Sequence, residues 1–243
     1  MNVQLVTSKR CSCFGDALRE LHARGLVKGH FVLMGAGTIT NANLKPILEE
    51  QINMCKDRAI MTVIYKRIPG NQPTGDKIMI ATDANSNRLV FYHKFKPDQK
   101  NRRFNLPPEK FKNRNIMVHH DLIDPQIAIC HSSVLQLFAK NVNFKTIDDF
   151  VRQHLTYGEI NVKELPKQQY ARKVTNWESY HMISDDVMNR WVSNDGICNL
   201  DQHFAFLQNK VYNKNKNDQH ERDVKLNAQA NVYIHDGSSV SNG

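Results

Sequence analysis

A chain of 243 residues with 33 Lys and Arg against 24 Asp and Glu carries a formal net charge of +9 and an ordinary hydrophobic content of 40%. That length suffices for one large domain, or for one domain and the start of another, around a sizeable core. No run approaches the roughly 18 apolar residues of a membrane helix, and the opening MNVQLVTSKRCSC lacks the apolar centre of a signal peptide, so the expectation is a soluble protein of the cytosol, cytoplasmic and without a membrane partner.

In chain order, VQLVT near the start is strand-like. FGDALRELHARGL follows, with Phe14, Leu18 and Leu21 on one helical face and Gly25 as a stop. Phe31-Val32-Leu33-Met34 reads as a buried strand, and GAG at 35–37 as a tight strand-to-helix turn. NANLKPILEEQINMCK then offers an Asn cap, an early proline at Pro46, and Leu44, Leu48, Ile52 and Cys55 near helical spacing. IMTVIY (60–65) is a third strand. Strands alternating with helices predict a mostly parallel sheet covered on both faces.

The middle of the chain departs from that alternation. KIMIAT (77–82) and RLVFYHKF (88–95) flank the turn-rich DANSN and predict a β-hairpin insertion. QIAIC (126–130) is a strand running into the helix SSVLQLF, TIDDFVRQHL (146–155) another helix, YARKV (170–174) a strand, and SYHMISDDVMNRW (179–191) a helix. From 193 to 223 the chain turns polar and rich in Asn and Lys, as a linker poorly ordered by itself does. In the final LNAQANVYIHDGSSVSNG, Leu226, Val232 and Ser238 form one row spaced six apart, and Ala228, Ile234 and Val240 a second. Six-residue spacing marks a hexapeptide β-helix, so residues 224–243 are expected to form its first coil.

The five cysteines include no CxxC and no Cys/His ligand spacing, which favours reduced thiols and no metal site. Basic residues such as Lys94, Lys96, Lys100, Arg102 and Arg103 are scattered, with no RNP-type aromatic motif nearby, so they read as a solvated surface and no direct nucleic-acid partner is expected. No GxSxG or HExxH occurs, and covalent catalysis has no support. Asp121 and Asp124 after His119-His120 can be drawn as an acid/base cluster, but HHDLID leads into a strand whose neighbours face opposite sides. Trp177, Trp191 and Tyr180 suit either a protein interface or a core.

The runs HHDLIDPQIAICHSSVLQLF, NVNFKTIDDFVRQHL and QYARKVTNWESYHMISDDVMNRW, with FGDALRELHARGLVKGHFVLMGAGTITNANL before them, resemble the nucleotidyltransferase-like domain of the epsilon subunits of eukaryotic translation initiation factor 2B. Those subunits are related in fold to sugar-nucleotide pyrophosphorylases. The resemblance implies an α/β, incomplete Rossmann-like nucleotidyltransferase-like sheet over residues 1–192, without the first strand and glycine-rich loop, then a linker and a left-handed β-helix. It also implies a place in translation initiation within the guanine-nucleotide exchange factor for initiation factor 2, with the gamma subunit and initiation factor 2 as partners, and a chain that lacks the catalytic C-terminal domain.

Pyrophosphorylases cradle phosphates in a GGxGTRLxPLT-like loop, absent here, and hold a metal on a Gly-Asp carboxylate where this chain has Ala36-Gly37. A second metal carboxylate is expected near Trp177, and Ser179 stands at that place, with Glu178 one residue off. The resemblance therefore implies no catalytic residues, no cofactor and no enzymatic activity of the chain by itself. A truncated sugar-nucleotide pyrophosphorylase is the rival reading. NVNF (141–144) falls where the family carries an Asn-Phe motif that contacts initiation factor 2, which designates Asn141 and Phe144 as partner-binding residues, although Val142 replaces the family's Phe.

Overall fold

A computed structural model describes residues 3–8, 11–55, 58–68, 78–95, 108–111, 115–157, 159–188, 204–207 and 210–213. The chain divides into two units, Met1–Ser179 and Tyr180–Gly243.

In the first unit α1 spans Phe14–Ala23 and begins at a capping box, Asp16 reaching back to the N–H of Cys13. It ends as foreseen at Gly25, whose φ of 62° lets its N–H close on the His22 carbonyl. The expected opening strand is absent: residues 3–8 form no ladder, and Val3 and Leu5 are exposed. Strands β1 (His30–Met34) and β2 (Thr38–Thr40) flank the GAG turn, and α2 (Lys45–Cys55) follows with Pro46 in its first turn, where a missing N–H costs nothing. The GAG turn thus joins strand to strand, not strand to helix.

β3 (Met61–Arg67) leads to the hairpin read in the sequence, β4 (Ile78–Asp83) and β5 (Leu89–Lys94). Its turn closes through Asp83, whose carboxylate accepts from the Asn85 N–H, and Asn87 takes a left-handed φ of 54° that Asn tolerates. β6 (Ile116–His119) pairs with β4 to complete a three-stranded sheet ordered β5-β4-β6. β7 (Leu122–His131), α3 (Ser133–Lys140), α4 (Ile147–His154), β8 (Ile160–Glu164), β9 (Ala171–Lys173) and α5 (Trp177–Met188) complete the succession.

The main sheet has four strands in the order β1-β7-β3-β8 and is mixed. β7 runs antiparallel to both β1 and β3, and only β3 and β8 are parallel. This corrects the mostly parallel expectation, and the cause lies in the connection. β1 and β3 are joined through α2 and run the same way; β7 enters from the hairpin sheet through the short turn after β6, with no crossover helix to return it to the same end. β1 is also half-exposed, not buried, as an edge strand with a neighbour on one side among the described residues.

Alternation along the strands sorts the core onto two faces. Met61, Val63 and Tyr65 of β3, Ala128 and Cys130 of β7 and Ile160 of β8 face α1, α3, α4 and the hairpin. There Phe138, Phe144 and Phe150 stack and cross at centroid separations of 5.0 to 5.5 Å. On the opposite face Ile64, Ile127 and Ile129 meet Ile47 of α2, Leu165 and Ala171. The buried Thr62 hydroxyl on that side donates to Gln51, whose amide donates to the Ala59 carbonyl at 2.8 Å.

In the second unit α5 continues to Met188, and β10 (Phe204–Leu207) pairs antiparallel with β11 (Lys210–Asn213). A hairpin therefore stands inside the stretch read as a plain linker. Trp191 and the hexapeptide rows at 224–243 lie outside the described residues. No helix among the described residues is long and apolar enough to cross a membrane.

Candidate functional site

The loop from Asn141 to Thr146 joins α3 to α4 and is held from several sides. Arg19 of α1 donates through Nη1 to the carbonyls of Phe138, Asn141 and Phe144 at 3.2 to 3.3 Å, while its Nη2 pairs with Asp16 at 2.8 Å. One α3 carbonyl and two loop carbonyls converge on one guanidinium because its planar fork offers several donors in fixed directions. Asp16, bonded to Ser12, Arg19 and Cys13, is held well below the usual carboxylate range and stays ionised. The Gly15 N–H donates to the Lys145 carbonyl at 3.0 Å, and a Cβ at Gly15 would run into the Phe144 carbonyl, so α1 and the loop touch backbone to backbone.

Asn141 spends its side chain locally: Oδ1 accepts from the Asn143 N–H at 3.0 Å and Nδ2 donates to Gln153 at 3.3 Å. Phe144 is 3% exposed and packs on Phe138, Phe150 and His154, so its ring lies in the core and not at the loop surface. Its apolar ring gains more from the core than from a loop surface. The exposed apolar side chain is Val142, at 70%, and it borders a polar cleft with Ser12, Cys13, Asp16, Arg19 and Lys145. Gly15 and Arg19 were not singled out in the sequence, because their partners lie more than a hundred residues away.

The GAG turn has its polar groups engaged within the protein. The Gly35 N–H donates to the Gln126 carbonyl at 3.0 Å, the Gly37 carbonyl accepts from the Val174 N–H at 2.9 Å, and Thr38 bonds the Pro125 carbonyl at 2.6 Å. A Cβ at Gly35 would lie 2.6 Å from Gln126 Oε1, and one at Gly37 3.0 Å from the Val174 carbonyl. Both glycines are thus explained by close approach of β7 and of the residue after β9.

Ser179 and Glu178 lie in the first turn of α5. Ser179 is buried and its hydroxyl accepts from the N–H groups of Thr175 and Asn176 at 2.9 Å, while the Asn176 side chain accepts from the Ser179 N–H at 2.8 Å. Those reciprocal bonds form a cap and consume the hydroxyl. Trp177 is 85% exposed and Tyr180 exposed, which places them at the surface and not in a core.

HHDLID does not form one cluster. Asp121 joins an ion-pair group in which Arg67 bonds it and grips both oxygens of Glu164 at 2.7 and 2.8 Å, tying the ends of β3 and β8 to the β6–β7 turn. That grip holds Glu164 below its ordinary range. His119 turns to Thr82 at 3.4 Å, with burial and then Arg67 lowering its pKa, and His120 is exposed. Asp124 points elsewhere: its carboxyl lies beneath the surface, where burial pushes it up to about 6 against the opposing bond from the Gln126 N–H. Among the described residues no group of three His, Cys, Asp or Glu is placed to hold a metal ion.

These features define a mixed α/β protein with a clamped, solvent-facing loop between two helices and no carboxylate at position 37. No family model matches the chain. It is similar to the protein named translation initiation factor eIF2B subunit epsilon in Schizosaccharomyces pombe, at 29% identity over 226 residues, 87% of this chain and 33% of that protein. The same subunit of Dictyostelium discoideum is 29% identical over 236 residues, 89% of this chain and 32% of that protein. The likeness to eIF2B epsilon runs along most of the chain, as the sequence motifs implied, and the chain spans about a third of the length of these curated relatives.

Proposed function

We propose that this chain acts in translation initiation as part of an eIF2B epsilon subunit, in the guanine-nucleotide exchange factor for initiation factor 2. The observation that carries the reading is the similarity to two eIF2B epsilon subunits over 87% and 89% of the chain. Its contribution is binding: holding the gamma subunit and presenting a surface to initiation factor 2. Nucleotide exchange proceeds by differential binding of two states of the partner and asks no covalent step of this chain. The rival reading, a sugar-nucleotide pyrophosphorylase, is disfavoured by Gly37 and Ser179 at the two carboxylate positions and by the engagement of the GAG backbone with β7 and Val174.

The contact loop in this reading is Asn141 to Thr146, with exposed Val142 as its apolar tip and Asn141 and buried Phe144 as the residues that set its shape. A rigid loop loses little conformational freedom on docking, which is how the Arg19 clamp would aid affinity.

The test is co-purification of the chain with the gamma subunit, followed by binding of initiation factor 2 to the pair by calorimetry. Val142→Asp is expected to keep the gamma subunit and to weaken initiation factor 2 by tenfold or more. Failure of the unaltered chain to hold gamma would overturn the assembly role, and an unchanged affinity in Val142→Asp would overturn the loop assignment.

A further inference from the structure

The inner face of the main sheet encloses a cavity of about 310 Å³ that none of the preceding roles uses. Its walls are apolar: Leu33 of β1, Met61 and Val63 of β3, Ala128 of β7, and Ile147 and Val151 of α4. One end is polar. Tyr65 is fully buried there, and its hydroxyl has no hydrogen-bond partner among the described residues. A buried hydroxyl left without a partner costs about 1–3 kcal/mol, so a group of this kind in a formed core calls for an occupant that satisfies it.

The remaining polar groups at that end state the chemistry of the occupant. Tyr92 donates its hydroxyl to Asp148 Oδ1 at 2.7 Å, and Lys94 stands 3.6 Å from Asp148 Oδ2, so Asp148 is satisfied on both oxygens. Asp124 accepts the Gln126 N–H on Oδ1 at 2.7 Å, and no bond reaches its Oδ2 among the described residues. Gln126 holds a left-handed φ of 57° that brings its backbone N–H onto that carboxylate. Asp124 feels both Lys94 and Lys173 without a direct bond to either, and the group left short of a partner is an acceptor, Asp124 Oδ2, beside an unpaired hydroxyl. A donor with positive charge fits that balance better than an anion or a neutral alcohol.

We propose that this cavity binds a small organic amine, with an aromatic or aliphatic body of about a dozen non-hydrogen atoms among the apolar walls and its ammonium group between Asp124 Oδ2 and the Tyr65 hydroxyl. The ammonium donates to both. This site does not depend on a role in translation initiation, and its test reads the isolated chain.

The experiment is calorimetric titration with 2-phenylethylamine, with 2-phenylethanol and propylbenzene as the alcohol and hydrocarbon of the same shape. The amine is expected to bind at least tenfold more tightly than either. Asp124→Asn should abolish that preference, and Tyr65→Phe should weaken the amine by severalfold. Ala128→Leu fills the apolar wall without touching the polar end, and is expected to block all three probes at an unchanged melting temperature; it carries the test if Asp124→Asn fails to fold. No binding of the amine to the unaltered chain, equal binding of amine and alcohol, or undiminished amine binding in Ala128→Leu would each overturn the proposal.

Discussion

At the scale of single residues, Gly15 and Asp124 have consequences out of proportion to their size. Gly15 is a helix residue, where alanine is ordinarily preferred, yet its missing Cβ is what allows the Phe144 carbonyl to approach. Gly15→Ala must push the 141–146 loop off α1, and is expected to destabilise the protein by roughly 1–3 kcal/mol, read as a lower denaturation midpoint in urea. Asp124 acts through protons. Burial raises its carboxyl from 3.8 to about 6, with Asp148 adding to the rise and Lys94 and Lys173 opposing it. The folded state then binds more protons than the unfolded chain between pH 4 and 6. Stability falls across that window as pH rises, by at most about 3 kcal/mol, and returns as pH falls. Melting temperatures from pH 4 to 7 should show the slope in the unaltered protein and a flatter profile in Asp124→Asn.

At the scale of elements, α4 shows how a short helix is fixed. Eight residues form a marginal helix by themselves, and Ile147–His154 is stabilised by its first turn and by Phe150 and Val151 in the core. Thr146 accepts from the Asp149 N–H at 3.2 Å while Asp149 accepts from the Thr146 N–H at 3.0 Å, a reciprocal cap. Thr146→Ala is expected to cost about 1 kcal/mol and Thr146→Ser only a fraction of that, again by urea denaturation. This box was legible in TIDD, as were β1, β3, the β4–β5 hairpin and β7, because each is announced by local periodicity or turn residues. The direction of β7 was not legible, since alternation carries no sign of which way a strand runs. β2 was missed because it is a three-residue strand whose partner, β9, lies more than a hundred residues on. The burial of Phe144 was not legible for a related reason: a loop aromatic carries no local mark of whether the core or the solvent receives it.

At the scale of the whole molecule, the candidate loop was located by resemblance and its mechanics by structure. NVNF named the segment, but the residues that hold it, Gly15 and Arg19, belong to α1, and only folding brings them together. The same separation leaves a chemical timer inside the main sheet. Cys130 sits in β7 between β1 and β3, fully buried, with its thiol pushed up to about 12 by that burial. Cys11 is exposed and Cys13 half-exposed beside the start of α1. An alkylating reagent attacks thiolates and needs access, so it should modify the N-terminal pair within minutes and reach Cys130 only when the central strands part. Mass spectrometry of the Cys130 peptide over hours would then report the opening rate of the sheet's centre, free of any signal from fraying at its margins.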